Sequence, residues 1–167
     1  MKRAFLFGLA VLVGACTQAS PPASKWSANG TVDGFYRVDG KDVKLGFAHS
    51  QKGEPFADRP TIVVALSEKD SADAKDDPLF WHTKYGAAVV VTLQKNSEGT
   101  YDVIGSNFMH PAAKDGGANG TGMVDIKDVK DTSGELAGEL FTKPATTLFD
   151  QKLDIDLKFK VAMPALK

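Results

Sequence analysis

The chain has 167 residues, 20 of them basic and 21 acidic, with three histidines and a formal net charge of −1. So even a balance gives no reason to expect nucleic acid or an anionic membrane surface as partner. A single cysteine rules out an internal disulfide framework, and a chain of this length suits one domain that buries roughly 70% of its unfolded surface without disulfides or metal.

Met1, Lys2 and Arg3 make a short positive start, and Ala4 to Val13 follow as an apolar segment. About ten apolar residues fit a secretory h-region and fall short of the roughly 20 that a membrane-spanning helix needs. Residues 1–15 therefore read as an export leader. Gly14 and Ala15 lead to Cys16, and Val13-Gly14-Ala15-Cys16 resembles the lipobox of bacterial lipoproteins. The resemblance implies cleavage before Cys16, diacylglycerol on its sulfur and a third acyl chain on the new amino terminus. An unpaired thiol in an oxidising compartment is a liability, so acylation accounts for Cys16 better than ordinary cleavage near Ala15 or Ala19. At about 0.8 kcal/mol per buried methylene, two or three chains hold a protein on a membrane where one does not. Thr17 stands where Asp favours inner-membrane retention in Gram-negative lipoproteins, which implies the outer membrane, facing the periplasm.

Loss of Lys2 and Arg3 with the leader leaves 18 basic against 21 acidic residues, a net of −3. Residues 16–24 carry the lipid and then TQASPPAS, a polar, proline-bearing run that reads as an extended tether. The folded domain is expected over residues 25–167.

Within it, Gly34 to Val38 and Val43 to Phe47 flank Asp39-Gly40, a pair that supplies the positive φ angles of a tight hairpin turn. Thr61 to Ser67 and Ala87 to Leu93 are continuously apolar and β-branched, as central strands covered on both faces are. Between them, Asp77, Pro78 and Gly86 provide an N-cap, a first helical position and a C-terminal stop, so one short helix is expected over 76–86. Asn96 to Gly99 turn the chain into a strand over 100–109, and strands follow at 122–127 and 135–142. Leu153, Ile155, Leu157, Phe159, Val161 and Met163 alternate with more polar residues, a period of two that predicts a half-buried strand of about 37 Å. About eight strands and one short helix make an antiparallel β-sandwich, with a partly closed barrel as the alternative.

GFYRVDGKDVKL at 34–45, the apolar strand ending in Leu66-Ser67, and GELAGELF at 134–141 with LDIDLKF at 153–159 together resemble a group of uncharacterised exported bacterial lipoproteins. The resemblance implies a β-sandwich domain of unknown function and brings no catalytic residues.

Chemistry-bearing clusters are sparse. His49, His82 and His110 stand at a strand end, on the short helix and in a loop, with no helix-face spacing, and Met109-His110 is the only neighbouring pair suited to copper. His49 continues the inward parity of Val43, Leu45 and Phe47, yet strand ends are often rims, and a lone histidine there is more often a hydrogen-bonded structural residue. No metal site is assigned. KDGGANGTG at 114–122 lacks the Lys-Ser or Lys-Thr of a P-loop and the closing Glu of an EF-hand, and reads as a flexible connection. ANGT recurs at 28–31 and 118–121, by chance or as two similar strand entries. Glu68, Asp70, Asp73, Asp76 and Asp77, diluted by Lys69 and Lys75, read as a solvated loop rather than a calcium site. No Gly-x-Ser-x-Gly elbow is present. Phe80, Trp81 and His82 are the candidate partner contact, because adjacent helical side chains point about 100° apart and one aromatic should stay partly wet.

The reading is a lipid-anchored protein with a non-catalytic binding or envelope-structural role, no cofactor, and the membrane and an envelope protein as partners. The alternatives are a periplasmic inhibitor or immunity protein acting by loop insertion and a metal-dependent hydrolase.

Overall fold

The computed structural model describes residues 25–74, 84–132, 134–144 and 146–166. Eleven strands are present among them: β1 Thr31–Val38, β2 Lys41–Val43, β3 Phe47–Lys52, β4 Thr61–Ser67, β5 Ala88–Lys95, β6 Tyr101–Met109, β7 Gly117–Gly120, β8 Asp125–Thr132, β9 Glu135–Phe141, β10 Thr147–Leu148 and β11 Gln151–Ala162. They form two antiparallel sheets. The first runs β2-β1-β11-β9-β8 with β10 attached to β11, and the second runs β3-β4-β5-β6-β7. The expected antiparallel β-sandwich is the observed fold. Three strands were not foreseen, β3, β7 and β10, and each is either glycine-rich, very short or preceded by a break in the pattern.

β11 is the staple that its alternation predicts. It pairs along β1 from Leu153 opposite Val38 to Lys160 opposite Thr31, and along β9 from Asp156 opposite Phe141 to Ala162 opposite Glu135. Leu153, Ile155, Leu157, Phe159 and Val161 all point into the core, each contributing on the order of 2 kcal/mol by burial. They meet Ile62, Val64 and Leu66 of β4, and Val89, Val91 and Leu93 of β5.

The Asp39-Gly40 turn is as expected, with φ of 48° and 75° and Val38 opposite Lys41, the signature of a type I′ hairpin. Its second arm differs from expectation. β2 ends at Val43, Leu45 turns into the core, and the Gly46 amide bonds the Ser67 carbonyl at 2.9 Å. The chain thereby changes sheets before β3 begins. Inward parity is reset by that crossing: Ala48 faces the core and His49 faces the opposite side, against Ala65.

Two other expectations are corrected. Residues 114–122 are not a plain connection, since Gly117–Gly120 forms edge strand β7 on β6 and Ser106 Oγ donates to the Gly120 carbonyl at 2.8 Å. A Cβ at Gly117 would collide with the Phe108 carbonyl, so glycine is what lets this edge approach. The two ANGT copies are not equivalent entries: 28–31 leads into β1, whereas 118–121 leaves β7. β8 extends beyond the expected 122–127 through a bulge between Lys127 and Lys130, where Asp128 has φ of 53°. Charges and a bulge on an outer strand are the usual guard against edge pairing. The short helix expected over 76–86 lies mostly outside the described residues; its end, Gly86, does adopt the left-handed φ of 69°.

The two sheets differ on their outer faces. The first carries a lattice of ion pairs: Lys127 and Lys158 on Glu139, Lys160 on Glu135, Lys143 on Asp125, and Arg37 on Asp42 and Asp154. The second is apolar and covered. Ala65, Ala88, Val90 and Met109 form a further cluster under Trp26 and Tyr85, which is why β4 and β5 read as apolar on both faces.

Candidate functional site

Strand registers define two ends of the sandwich. At the proximal end, where the described chain starts, the Ser27 amide bonds the Ser50 carbonyl at 2.7 Å, Ser50 Oγ donates to the Ala162 carbonyl, and the Met163 amide donates to the Gly134 carbonyl at 2.7 Å. At the distal end lie the Asp39-Gly40 turn, residues 110–116 and the Phe149-Asp150 turn. Gln151 ties these together. Its Nε2 donates to Asp39 Oδ2 at 3.0 Å and the Ala112 carbonyl at 2.9 Å, and its Oε1 accepts the Lys114 amide at 2.7 Å. Donation from Gln151 and from the Lys152 amide holds the Asp39 carboxyl below the usual carboxylate range.

Cys16, Phe80, Trp81 and His82 lie outside the described residues, so the predicted lipid site and partner contact have no structural account. Two histidines are placed, and they do not meet. His49 is buried on the outer side of β3, with Nδ1 at 2.9 Å from the Ser27 carbonyl and Nε2 at 3.0 Å from Asp70 Oδ1. The Ser27 carbonyl can only accept, so Nδ1 carries a hydrogen and donates to it. The ring thus clamps the start of the domain to the loop after β4. Trp26 Nε1 closes the same layer by donating to the Ala74 carbonyl at 3.0 Å.

Three carboxylates of the acidic run serve that clamp, while Asp76 and Asp77 lie outside the described residues. Glu68 Oε2 accepts the Ala87 amide at 3.0 Å, Asp70 Oδ1 accepts the Ala72 amide at 2.9 Å, and Asp73 binds Lys84 at 2.7 Å and the Tyr85 hydroxyl at 3.0 Å. Hydrogen bonds from Lys84 and Tyr85 depress the Asp73 carboxyl. These carboxylates are wet at their surface, as a solvated loop implies, yet each holds a structural partner. Among the described residues no group of three His, Cys, Asp or Glu side chains converges as a metal site would require.

His110 sits inside. It meets Tyr36 edge-on, ring centroids 4.8 Å apart at 78°, while Met109 points into the outer cluster. The copper pair suggested by adjacency is therefore split across the sheet, because neighbours at a strand end face opposite ways. His110 Nδ1 accepts the Ala112 amide at 3.0 Å, which puts the ring hydrogen on Nε2. Burial pushes His110 below its ordinary value, against the opposing pull of the Lys41 carbonyl and Asp42. Among the described residues the Lys41 carbonyl lies towards Nε2 without reaching hydrogen-bond geometry, and the Tyr36 hydroxyl has no hydrogen-bond partner; burial raises that hydroxyl far above a free phenol.

Two concavities open at the proximal end. A cleft of about 480 Å³ opens between Trp26, Ser50, Lys52, Met163 and Pro164, and a second of about 280 Å³ adjoins it at Asn29, Thr31 and Lys160. Both are open to solvent. Beside them the 53–60 connection is folded into a tight turn. Phe56 and Arg59 exchange backbone bonds of 3.0 and 3.1 Å, and Ala57 and Asp58 between them have φ of 48° and 58°. A type I′ turn without glycine carries strain on the order of 1 kcal/mol per residue. Gln94, buried, holds it by donating Nε2 to the Phe56 carbonyl at 2.7 Å and to that of Arg59 at 3.4 Å. The Phe56 ring is left 57% exposed. Its counterpart at the distal end is Phe149, 48% exposed, with Asp150 in another left-handed pair. No composition or spacing pattern marks either aromatic; only a non-glycine turn between apolar strands signals them, and weakly.

Comparison of the chain with protein-family models, with curated proteins and with solved structures found no match.

Proposed function

We propose that this is a lipid-anchored protein of the bacterial cell envelope, held at the outer membrane and facing the periplasm, with a binding or structural role and no catalytic step. One observation carries the reading: a positive start and apolar segment end at Val-Gly-Ala-Cys, and the first buried side chain of the described domain, Trp26, follows only ten residues later. Acyl chains at Cys16 would fix position, residues 17–24 would set reach, and the distal end would face a partner in the envelope. The polar ladder on one sheet and the sealed second face of the other give a domain that stays folded by itself beside a membrane.

The test is direct. Expressed in a Gram-negative host, the chain should incorporate labelled palmitate, and the mature protein should have the mass of an acylated product beginning at residue 16. Cys16→Ser should lose the label and move to the soluble periplasmic fraction. A product with a bare thiol, or starting at another residue, overturns the anchor.

A second reading, an inhibitor that inserts a loop into an enzyme, is favoured by the Phe149-Asp150 turn. It presents an exposed aromatic on a strained turn, next to the hydrogen-bonded Gln151 hub and at the end away from Lys25. Capture of one enzyme from envelope extracts in equal amounts, lost in Phe149→Ser, supports it; capture that is indifferent to this change removes it.

A further inference from the structure

We propose that Phe56 is a membrane-contacting foot: the 56–59 turn lays its ring into the lipid headgroup region of the bilayer that carries the anchor, so the domain stands on its proximal end. The inference rests on the lipid-anchor reading and adds an orientation to it. Three observations carry it. Phe56 is the more exposed of the two large apolar side chains that stand out among the described residues. It is not on a loose loop, since the buried Gln94 amide and a backbone pair with Arg59 hold a left-handed turn that aims the ring outward. It projects from the end where Lys25 starts the described chain, because Lys25 and Lys52 line the same cleft and Lys52 closes β3 just before the turn.

Chain length then sets the geometry. Eight residues, 17 to 24, separate the acylated position from Lys25, and the chain from 16 to 25 spans at most about 30 Å. Anchoring keeps Phe56 within tens of ångströms of the bilayer, so a contact too weak to recruit a free protein becomes an intramolecular one at high effective concentration. Phe, with Trp and Leu, is among the side chains that interfacial segments bury at the boundary of headgroups and acyl chains. Charge is not the attraction: Lys52 and Arg59 are offset by Glu54 and Asp58 on the same connection. The surface that fits is a zwitterionic lipid face, and the contact should survive added salt.

Phe149, on the same kind of turn at the other end, is the internal control. The lipidated full-length protein is reconstituted in vesicles of phosphatidylethanolamine and phosphatidylcholine, with and without bromine on the acyl chains. Phe56→Trp and Phe149→Trp are compared with the parent, whose Trp26 and Trp81 give a constant background. Brominated lipid should remove most of the emission added by Phe56→Trp and leave that of Phe149→Trp unchanged, at low and high salt alike. Slowed amide exchange over residues 54–59 on vesicles, in the parent protein, is the matching readout that needs no substitution. Protein that floats with the vesicles while neither residue 56 fluorescence nor 54–59 exchange responds overturns the foot and leaves the anchor standing. Quenching confined to Phe149→Trp overturns it by reversing the orientation. Protein that does not float overturns the anchor and the foot together.

Discussion

Replacing Tyr36 by Phe removes a hydroxyl that the fold buries completely and that has no partner among the described residues. A buried, unsatisfied polar group costs about 1–3 kcal/mol in desolvation, which the mutation returns to the folded state. Against this stands the void left by one oxygen, smaller than a methylene, whose loss is felt at about 0.8 kcal/mol. The aromatic ring keeps its edge-on contact with His110. The balance favours Tyr36→Phe by about 1 kcal/mol, which for a domain of this size raises the melting temperature by roughly 2–4 °C. Urea unfolding of the soluble domain should show a higher midpoint at unchanged slope, since the surface exposed on unfolding is the same. A loss of 1 kcal/mol or more would refute the reasoning, because it would mean that the hydroxyl is satisfied, by a buried water shared with His110 Nε2 or otherwise.

Two further outcomes follow from the same structure. Gly30→Ala would drive a Cβ into the Lys160 carbonyl where the chain passes from the edge of β3 into β1, so a loss of about 2 kcal/mol or more is expected in urea unfolding. Burial holds His110 below its ordinary value of 6.5; the unfolded chain therefore takes up a proton first, and stability should be level above about pH 6.5 and fall as pH drops through that value towards the folded one. His110→Asn, whose side-chain oxygen can still accept the Ala112 amide, should flatten this part of the urea-midpoint profile, and an unchanged slope would assign it to other groups.

What could be read from residues alone was the part of the fold that repeats. β11 declares itself through Leu153, Ile155, Leu157, Phe159 and Val161 because one face is wet and the other is not. Asp39-Gly40 declares a turn because few residue pairs tolerate two positive φ angles. β7 escaped because Gly-Ala-Asn-Gly has no side chains large enough to mark a face, and it is held by backbone approach alone. His49 was placed on the wrong side because alternation was carried through residues 44–46, where the chain leaves one sheet for the other. The proximal turn and the outer clamp were invisible for a different reason: Gln94 acts on Phe56 from 38 residues away and Asp70 on His49 from 21. Such pairings depend on which strands become neighbours, and local pattern holds no record of that.

The segment just before β1 is bound into the fold itself. Ser27 and Asn29 seal the free edge of β3: the Ser50 amide donates to Ser27 Oγ at 2.9 Å and the Ala48 amide to Asn29 Oδ1 at 3.0 Å, while the Ser27 and Gly30 amides bond the Ser50 and Ala48 carbonyls. An edge strand left open offers those groups to another chain. Trp26 meanwhile roofs the second apolar face, and the Ser27 carbonyl receives His49. The first half-dozen described residues therefore supply an edge, a roof and a ring partner at once, and the TQASPPAS run before them is free of the apolar pattern that would compete for those places. A pull on the chain ahead of Trp26 would therefore reach β3 through these bonds.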